Sequence, residues 1–113
     1  MAGMNLVVSL PTRDQLRQFV RRTLCDRDYL DLEQTPFYEA RMTRSGRTCG
    51  LYFEIHGPRL VRSCAIWVAD EHRILFYDST GGRYAEVRLS EAPDPITIQA
   101  VCGLAPRAKP QAA

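Results

Sequence analysis

The sequence predicts an α+β domain in two layers, with one N-terminal helix packed on an antiparallel meander of five strands, or six if the first residues add one. Apolar side chains recur at helical spacing in residues 12–28. From residue 37 onward the apolar period changes to two, and the connections between segments become short. Strands joined by such short connections are antiparallel neighbours, and the helix stripe and one sheet face must bury each other.

The composition fits a single small domain. The chain has 113 residues, 45% of them hydrophobic, and a net charge of +2, which gives no strong attraction to nucleic acid or acidic membranes. We place the domain at residues 1–104 and a disordered C-terminal tail at residues 105–113. No segment has the length of a membrane span or the pattern of a signal peptide, so we expect a cytoplasmic protein. The four cysteines lack metal-binding spacing, and we expect free thiols.

The helix has a clear start. Thr12 is the predicted N-cap, and Gln15 three residues later completes a capping box. Apolar side chains then follow on one face, at Leu16, Phe19, Val20 and Leu24. The opposite face is basic, with Arg13, Arg17 and Arg21.

Turn residues separate the predicted strands. Ser45-Gly46 fits a tight hairpin, and Gly57-Pro58 breaks the next strand before residues 60–69 run back. Residues 4–10 are predicted as a strand or as a hydrophobic lead-in to the helix. Residues 94–103 fit either a short helix or a strand, and the pattern does not decide between them.

Alternation assigns side chains to two faces of the sheet. The residues predicted to face the helix are Leu51, Phe53, Ile55, Cys64, Ile66, Val68, Ala85, Val87 and Leu89. In residues 73–78 both alternating pairs are apolar, so either Ile74 and Phe76 or Leu75 and Tyr77 join the core. The other face therefore stays apolar at its centre, near Val61, Ala65 and Trp67. Such a centre predicts a cover, which could be the C-terminal segment, a second subunit or a ligand.

This outer face is the predicted functional surface. We expect a small non-catalytic interaction or ligand-binding module, either a homodimer or a subunit bound to a protein partner. The predicted binding residues are Tyr52, His56, Arg62, Trp67, Tyr84 and Arg88. Trp67 is the expected central anchor, because tryptophan buries the largest area and is enriched at interface hot spots.

Two alternatives use the same face. Tyr52, Trp67 and Tyr84 beside arginines are the residue types that stack bases and hold phosphates, which suggests single-stranded nucleic-acid binding. However, Glu39, Glu54 and Glu86 alternate with those arginines, and cross-strand ion pairs explain them more simply. A small enzyme could instead use Glu54 and His56 as an acid/base pair, although no nucleophile motif accompanies them. We expect no catalytic residue, no metal site and no cofactor.

Overall fold

A computed structural model describes residues 5–95, in which one helix packs across one face of a six-stranded sheet. The elements are β1 (Asn5–Ser9), α1 (Arg13–Arg27), β2 (Phe37–Arg44), β3 (Arg47–Ile55), β4 (Cys64–Val68), a 3₁₀ turn (Ala69–Glu71), β5 (Arg73–Tyr77) and β6 (Arg83–Glu91). This architecture confirms the predicted α+β class with a single N-terminal helix.

The sheet has the spatial order β1-β6-β5-β4-β3-β2. Strands β2 to β6 form the predicted antiparallel meander. The sixth strand is β1, and it pairs with β6 in parallel, so the sheet is mixed. Parallel neighbours require a long connection, and here the whole of α1 and the meander separate the two strands in sequence.

Helix α1 begins as the sequence predicts. The Thr12 hydroxyl accepts from the Gln15 backbone N–H at 3.1 Å, and the Gln15 side chain accepts from the Thr12 N–H at 3.2 Å. These reciprocal bonds satisfy donors that the first helical turn leaves open. The side chains buried against the sheet are Leu16, Val20, Leu24 and Cys25.

A buried ion pair fastens the start of α1 to the edge of the sheet. Glu39 on β2 is only 3% exposed, and it lies 2.9 Å from Arg13 and 2.6 Å from Arg17. The placement of Glu39 among outer-face ion pairs is therefore wrong. Glu39 is opposite Phe53 in the sheet and shares its helix-facing side. Two helix arginines satisfy the carboxylate there, which is the condition for burying a charge.

Strand β4 is shorter than predicted and has the opposite phase. Residues 57–63 form a loop in which Arg59 and Leu60 adopt left-handed backbone angles, with φ of 59° and 63°. Val61 therefore lies in this loop and not at the centre of a strand. Within β4, the side chains of Ala65 and Trp67 are buried, and those of Cys64, Ile66 and Val68 are only half-buried.

The pairing of β4 with its neighbouring strands determines which of its side chains face the helix. Trp67 is opposite Leu51 on β3 and Ile74 on β5, and all three are fully buried on the helix side. The predictions that Trp67 lies on the outer face and that Ile66 and Val68 lie inward are both wrong. Both alternating sets of β4 are apolar, so alternation alone does not fix the phase, and the larger ring takes the side that α1 covers.

A β-bulge moves Tyr84 to the helix side as well. Phe76 is opposite Ala85 and Tyr77 is opposite Arg83, which leaves Tyr84 as the extra residue of β6. Its ring lies 6.1 Å from the ring of Phe76. The guanidinium of Arg27, in the last turn of α1, stacks 4.5 Å from the ring centre. The prediction of Tyr84 on the outer face is therefore wrong, because the bulge interrupts the alternation.

The remaining expectations concern residues beyond this range. Most of the 94–103 segment and the whole predicted tail at 105–113 lie outside the described residues. Within residues 5–95, no helix is long and apolar enough to cross a membrane.

The phase of β4 can be tested with a matched pair of substitutions. We expect Trp67→Ala to lower the free energy of unfolding by about 3–5 kcal/mol, because it empties a large core volume. We expect Ile66→Ala, one residue away on the half-buried side, to lower it by less than about 2 kcal/mol. Urea unfolding followed by circular dichroism measures both. Equal losses would contradict the register.

The hydroxyl of Tyr84 gives a pH-dependent prediction. It is buried without a hydrogen-bond partner among the described residues, and burial raises the Tyr84 pKa to about 12, with the Asp28 carboxylate adding to the effect. In the unfolded chain a tyrosine titrates near pH 10, so the folded state holds this proton more tightly and loses stability as pH rises from about 10 to 12.

Tyr84→Phe should therefore leave stability near pH 7 unchanged or slightly higher, because the buried unpaired hydroxyl is gone. The variant should also lose less stability than the wild type between about pH 10 and 12. Thermal unfolding across this pH range measures both effects, and Tyr29→Phe at a 96% exposed position is the control. A strong destabilisation by Tyr84→Phe at neutral pH would show that the hydroxyl has a partner.

Candidate functional site

The sheet face that points away from α1, here called the outer face, gathers side chains from all six strands. Residues directly opposite each other on paired strands share a face, so the register defines its members. They are Tyr38, Ala40 and Met42 on β2, Tyr52 and Glu54 on β3, Cys64, Ile66 and Val68 on β4, Arg73, Leu75 and Tyr77 on β5, Arg83, Glu86 and Arg88 on β6, and Val7 on β1.

The middle of this face is apolar. Tyr52, Ile66 and Leu75 are opposite one another across three strands, and Val68 follows on the same side of β4. We call these four residues the apolar centre. Leu75 is 8% exposed yet does not belong to the core cluster under the helix. Among residues 5–95 the only α-helix packs on the opposite side of the sheet, which leaves this centre without a covering layer.

A chain of polar contacts borders the apolar centre at the end of β3. The Tyr52 hydroxyl donates to one Glu54 carboxylate oxygen at 2.9 Å, and His56 Nε2 lies 2.9 Å from the other. The Tyr38 ring packs on the His56 ring with centroids 4.4 Å apart. His56 and Glu54 keep about a third and a quarter of their side chains exposed, at 32% and 25%. The predicted Glu54–His56 contact is therefore present, on an exposed border of the sheet.

Basic side chains border the diagonally opposite end of the apolar centre. Arg73 on β5 lies 2.9 Å from Glu86 on β6 and 2.6 Å from Glu71 in the 3₁₀ turn. The hydrogen bond from Arg73 holds the pKa of Glu86 below its ordinary value. Arg88 is opposite Arg73 in the sheet, is exposed and forms no ion pair among residues 5–95. This end therefore carries an exposed positive charge close to Glu86, whose pKa Arg88 also lowers.

The cysteine of the face is not an activated nucleophile. Cys64 is opposite Glu54, and burial, together with the nearby carboxylate, raises the pKa of its thiol. Burial is also the main cause that raises the pKa of Tyr52. Nucleophilic attack needs the thiolate, so a thiol with a raised pKa is a poor nucleophile at neutral pH.

The structure separates the predicted site residues into three groups. Tyr52 and Arg88 lie on the outer face, and His56 follows directly after β3 at its border. Trp67 and Tyr84 lie on the helix side. Arg62 is exposed in the loop before β4 and is not part of the face.

The sequence does not predict the aliphatic side chains that form the middle of the face. Alternation predicts Ile66 and Val68 inward and leaves Leu75 open, because both alternating sets of β4 and both pairs within residues 74–77 are apolar. The pairing of Trp67 with Leu51 places them, because it determines which side chains of β4 face the helix. The pairing of β4 with β5 then determines the same for β5.

The described residues contain no cluster of three or more side chains suited to hold a metal ion. A surface cavity of about 270 Å³ lies away from the outer face, beside α1, and its lining includes Arg17, Arg21 and Phe37. The Glu54–His56 pair does not line this cavity.

Comparisons of the chain with family models, curated proteins and solved structures find no match. Its function must therefore be inferred from the surface itself.

The state of Cys64 can be checked by alkylation. We expect iodoacetamide to modify Cys64 more slowly than glutathione near neutral pH, because burial disfavours the thiolate. Peptide mapping by mass spectrometry after short pulses gives the rate at this site, and a Cys64→Ser variant identifies its peptide. A rate equal to that of glutathione would contradict the raised pKa.

Proposed function

We propose that this chain is a non-catalytic cytoplasmic binding module that acts through the outer face, and that its partner is a second copy of the same chain. The observation that carries the proposal is the apolar centre, where Ile66 and Leu75 sit side by side with no covering layer among residues 5–95. When one face of an antiparallel sheet contacts only water, the side chains on that face are normally polar.

Association explains this departure from the usual pattern. Four strands contribute to the apolar surface, from Met42 on β2 through Val68 on β4 to Leu75 on β5. Contiguous apolar patches of this kind mark binding surfaces on soluble proteins. A second copy is a suitable partner because an apolar sheet face is complementary to itself, which is the requirement of a twofold interface.

The size of the surface indicates how strong the association is. Strand spacing and rise make the apolar centre with its neighbouring side chains about 15–20 Å across. Its area of about 225–400 Å² is smaller than the roughly 800 Å² per partner of a standard stable complex. We therefore expect a dimer with a dissociation constant of the order of micromolar.

The cytoplasmic location is supported by the thiols. Cys25, Cys49 and Cys64 are free and form no disulfide with one another. Free cysteines are typical of a reducing compartment.

The structure gives the two alternatives less support. Nucleic-acid binding loses Trp67 and Tyr84 from its stacking surface, and the middle of the face is aliphatic. An enzyme built on Glu54 and His56 has their contact, but the pair does not line the cavity beside α1, and Cys64 nearby has a raised thiol pKa.

Light scattering coupled to size exclusion tests the proposal over a concentration series. We expect the wild-type mass to rise toward twice 12.8 kDa at concentrations of about 100 μM. Ile66→Glu should stay monomeric at the same concentrations, because it places a charge in the apolar centre.

Leu60→Glu makes the same change at an 80% exposed site in the loop before β4 and should dimerise like the wild type. Circular dichroism confirms that both variants are folded. A wild type that stays monomeric throughout, or an Ile66→Glu variant that dimerises normally, would overturn the proposal.

A further inference from the structure

We infer that the cavity beside α1 binds a small organic monoanion, a carboxylate carried on a compact apolar group, with Arg21 as its main contact. The cavity lies on the helix layer, so this inference is independent of the proposed dimer on the outer face. It gives a role to the basic face of α1, which the outer face does not involve.

The charges around the cavity match an anion with a single charge. Three arginines of α1 line it, Arg17, Arg21 and Arg22. The carboxylates of Asp14 and Glu33 line it as well, so three positive and two negative charges leave one net positive charge. A monoanion neutralises this wall, whereas a phosphate dianion or a polyphosphate would add repulsion from the two carboxylates.

Arg21 is the half-buried cation of this wall that lacks a counter-ion. Arg17 lies 2.6 Å from Glu39 and 3.9 Å from Asp14, so carboxylates already accompany it. No carboxylate among residues 5–95 lies within ion-pair distance of Arg21. Arg17 and Arg21 are also four residues apart on the helix, where like charges repel each other. A partly desolvated cation in this setting is stabilised by an added anion.

The guanidinium of Arg21 is held in position before a ligand binds. Its Nη2 donates to the Leu32 carbonyl oxygen at 2.6 Å, and its central carbon lies 5.7 Å from the centre of the Phe37 ring. Phe37 in turn stacks on Phe53 of the core. The Arg21 Nε is buried, whereas Nη1 is neither buried nor hydrogen-bonded within residues 5–95 and can donate to a carboxylate. Such preorganisation lowers the cost of binding.

The size of the cavity and its apolar wall limit the rest of the ligand. Drug-sized ligands occupy pockets of about 300–1,000 Å³. The volume of about 270 Å³ here suits a smaller molecule. Leu32 and Phe37 supply apolar surface beside Arg21, and the exposed Arg22 supplies a second donor. These features fit a carboxylic acid with a short aliphatic chain or one aromatic ring.

A fluorinated aromatic acid is a suitable probe. We expect para-fluorobenzoate to bind with a dissociation constant in the millimolar range, as its small size allows. Its neutral counterpart, para-fluorobenzamide, should bind at least about fivefold more weakly, because it lacks the charge that Arg21 recognises. Fluorine NMR line widths measure both constants. Amide proton–nitrogen NMR spectra should change most at Leu32, Glu33 and Phe37, and changes confined to other parts of the chain would overturn the site.

Removing single arginine charges tests the contacts. Arg21→Gln should raise the dissociation constant of the benzoate about tenfold, because its hydrogen bonds to a charged group are lost. Arg22→Gln should raise it about twofold to threefold, since this side chain is exposed. Arg44→Gln removes the same charge at an exposed position at the end of β2, outside the cavity, and should leave the constant unchanged. Circular dichroism confirms folding of each variant.

Three outcomes would overturn the inference. They are an Arg21→Gln variant that binds the benzoate like the wild type, a benzamide that binds as tightly as the benzoate, and inorganic phosphate that binds more tightly than either. If Arg21→Gln does not fold, Arg22→Gln and the comparison of the probes still decide the matter. The proposed dimer is measured separately by its mass, so either proposal can fail without the other.

Discussion

The pairing of Leu51 on β3 with Trp67 on β4 is the contact on which the rest of the structure depends. A sheet with one covered face has a period of two, so a slip of one residue in this pairing would exchange the two faces of β4. With Trp67 inward, the helix covers the largest side chain of the domain. The same pairing places Ile66 and Val68 outward, so the stability of the core and the position of the apolar centre on the outer face have a common origin.

The second constraint is the single helix, which covers only one side of the sheet. The ion pairs from Arg13 and Arg17 to Glu39 fasten its first turns over β2, and Arg27 at its last turn stacks on Tyr84 of β6. The helix is thus held diagonally across the sheet at both ends. Because this contact uses the only described α-helix, the outer face has no layer of its own within residues 5–95.

The sequence predicts those features that local chemistry determines. Capping and helical spacing predict α1 to within one residue at each end, since the Thr12–Gln15 box is a local interaction. Where both alternating sets of a strand are apolar, as in β4 and in residues 74–77 of β5, alternation does not predict which set faces the helix. There the choice between Ile66 and Trp67 depends on a partner strand many residues away. The prediction for Tyr84 fails for a related reason, because a bulge depends on how two strands pair and the pattern of one strand does not reveal it. The sequence predicts an outer face with an apolar middle near Val61, Ala65 and Trp67, whereas the structure places Ile66, Val68 and Leu75 there.

The burial of Trp67 determines which optical signals can follow this protein. It is the only tryptophan in the chain, and it lies fully inside the core between Leu51 and Ile74. Its emission therefore reports the folded state of the domain and is shielded from whatever contacts the outer face. Tyr38, by contrast, is 39% exposed on that face. A fluorophore that follows association has to be introduced at the outer face, whereas unfolding can be followed with the natural chain.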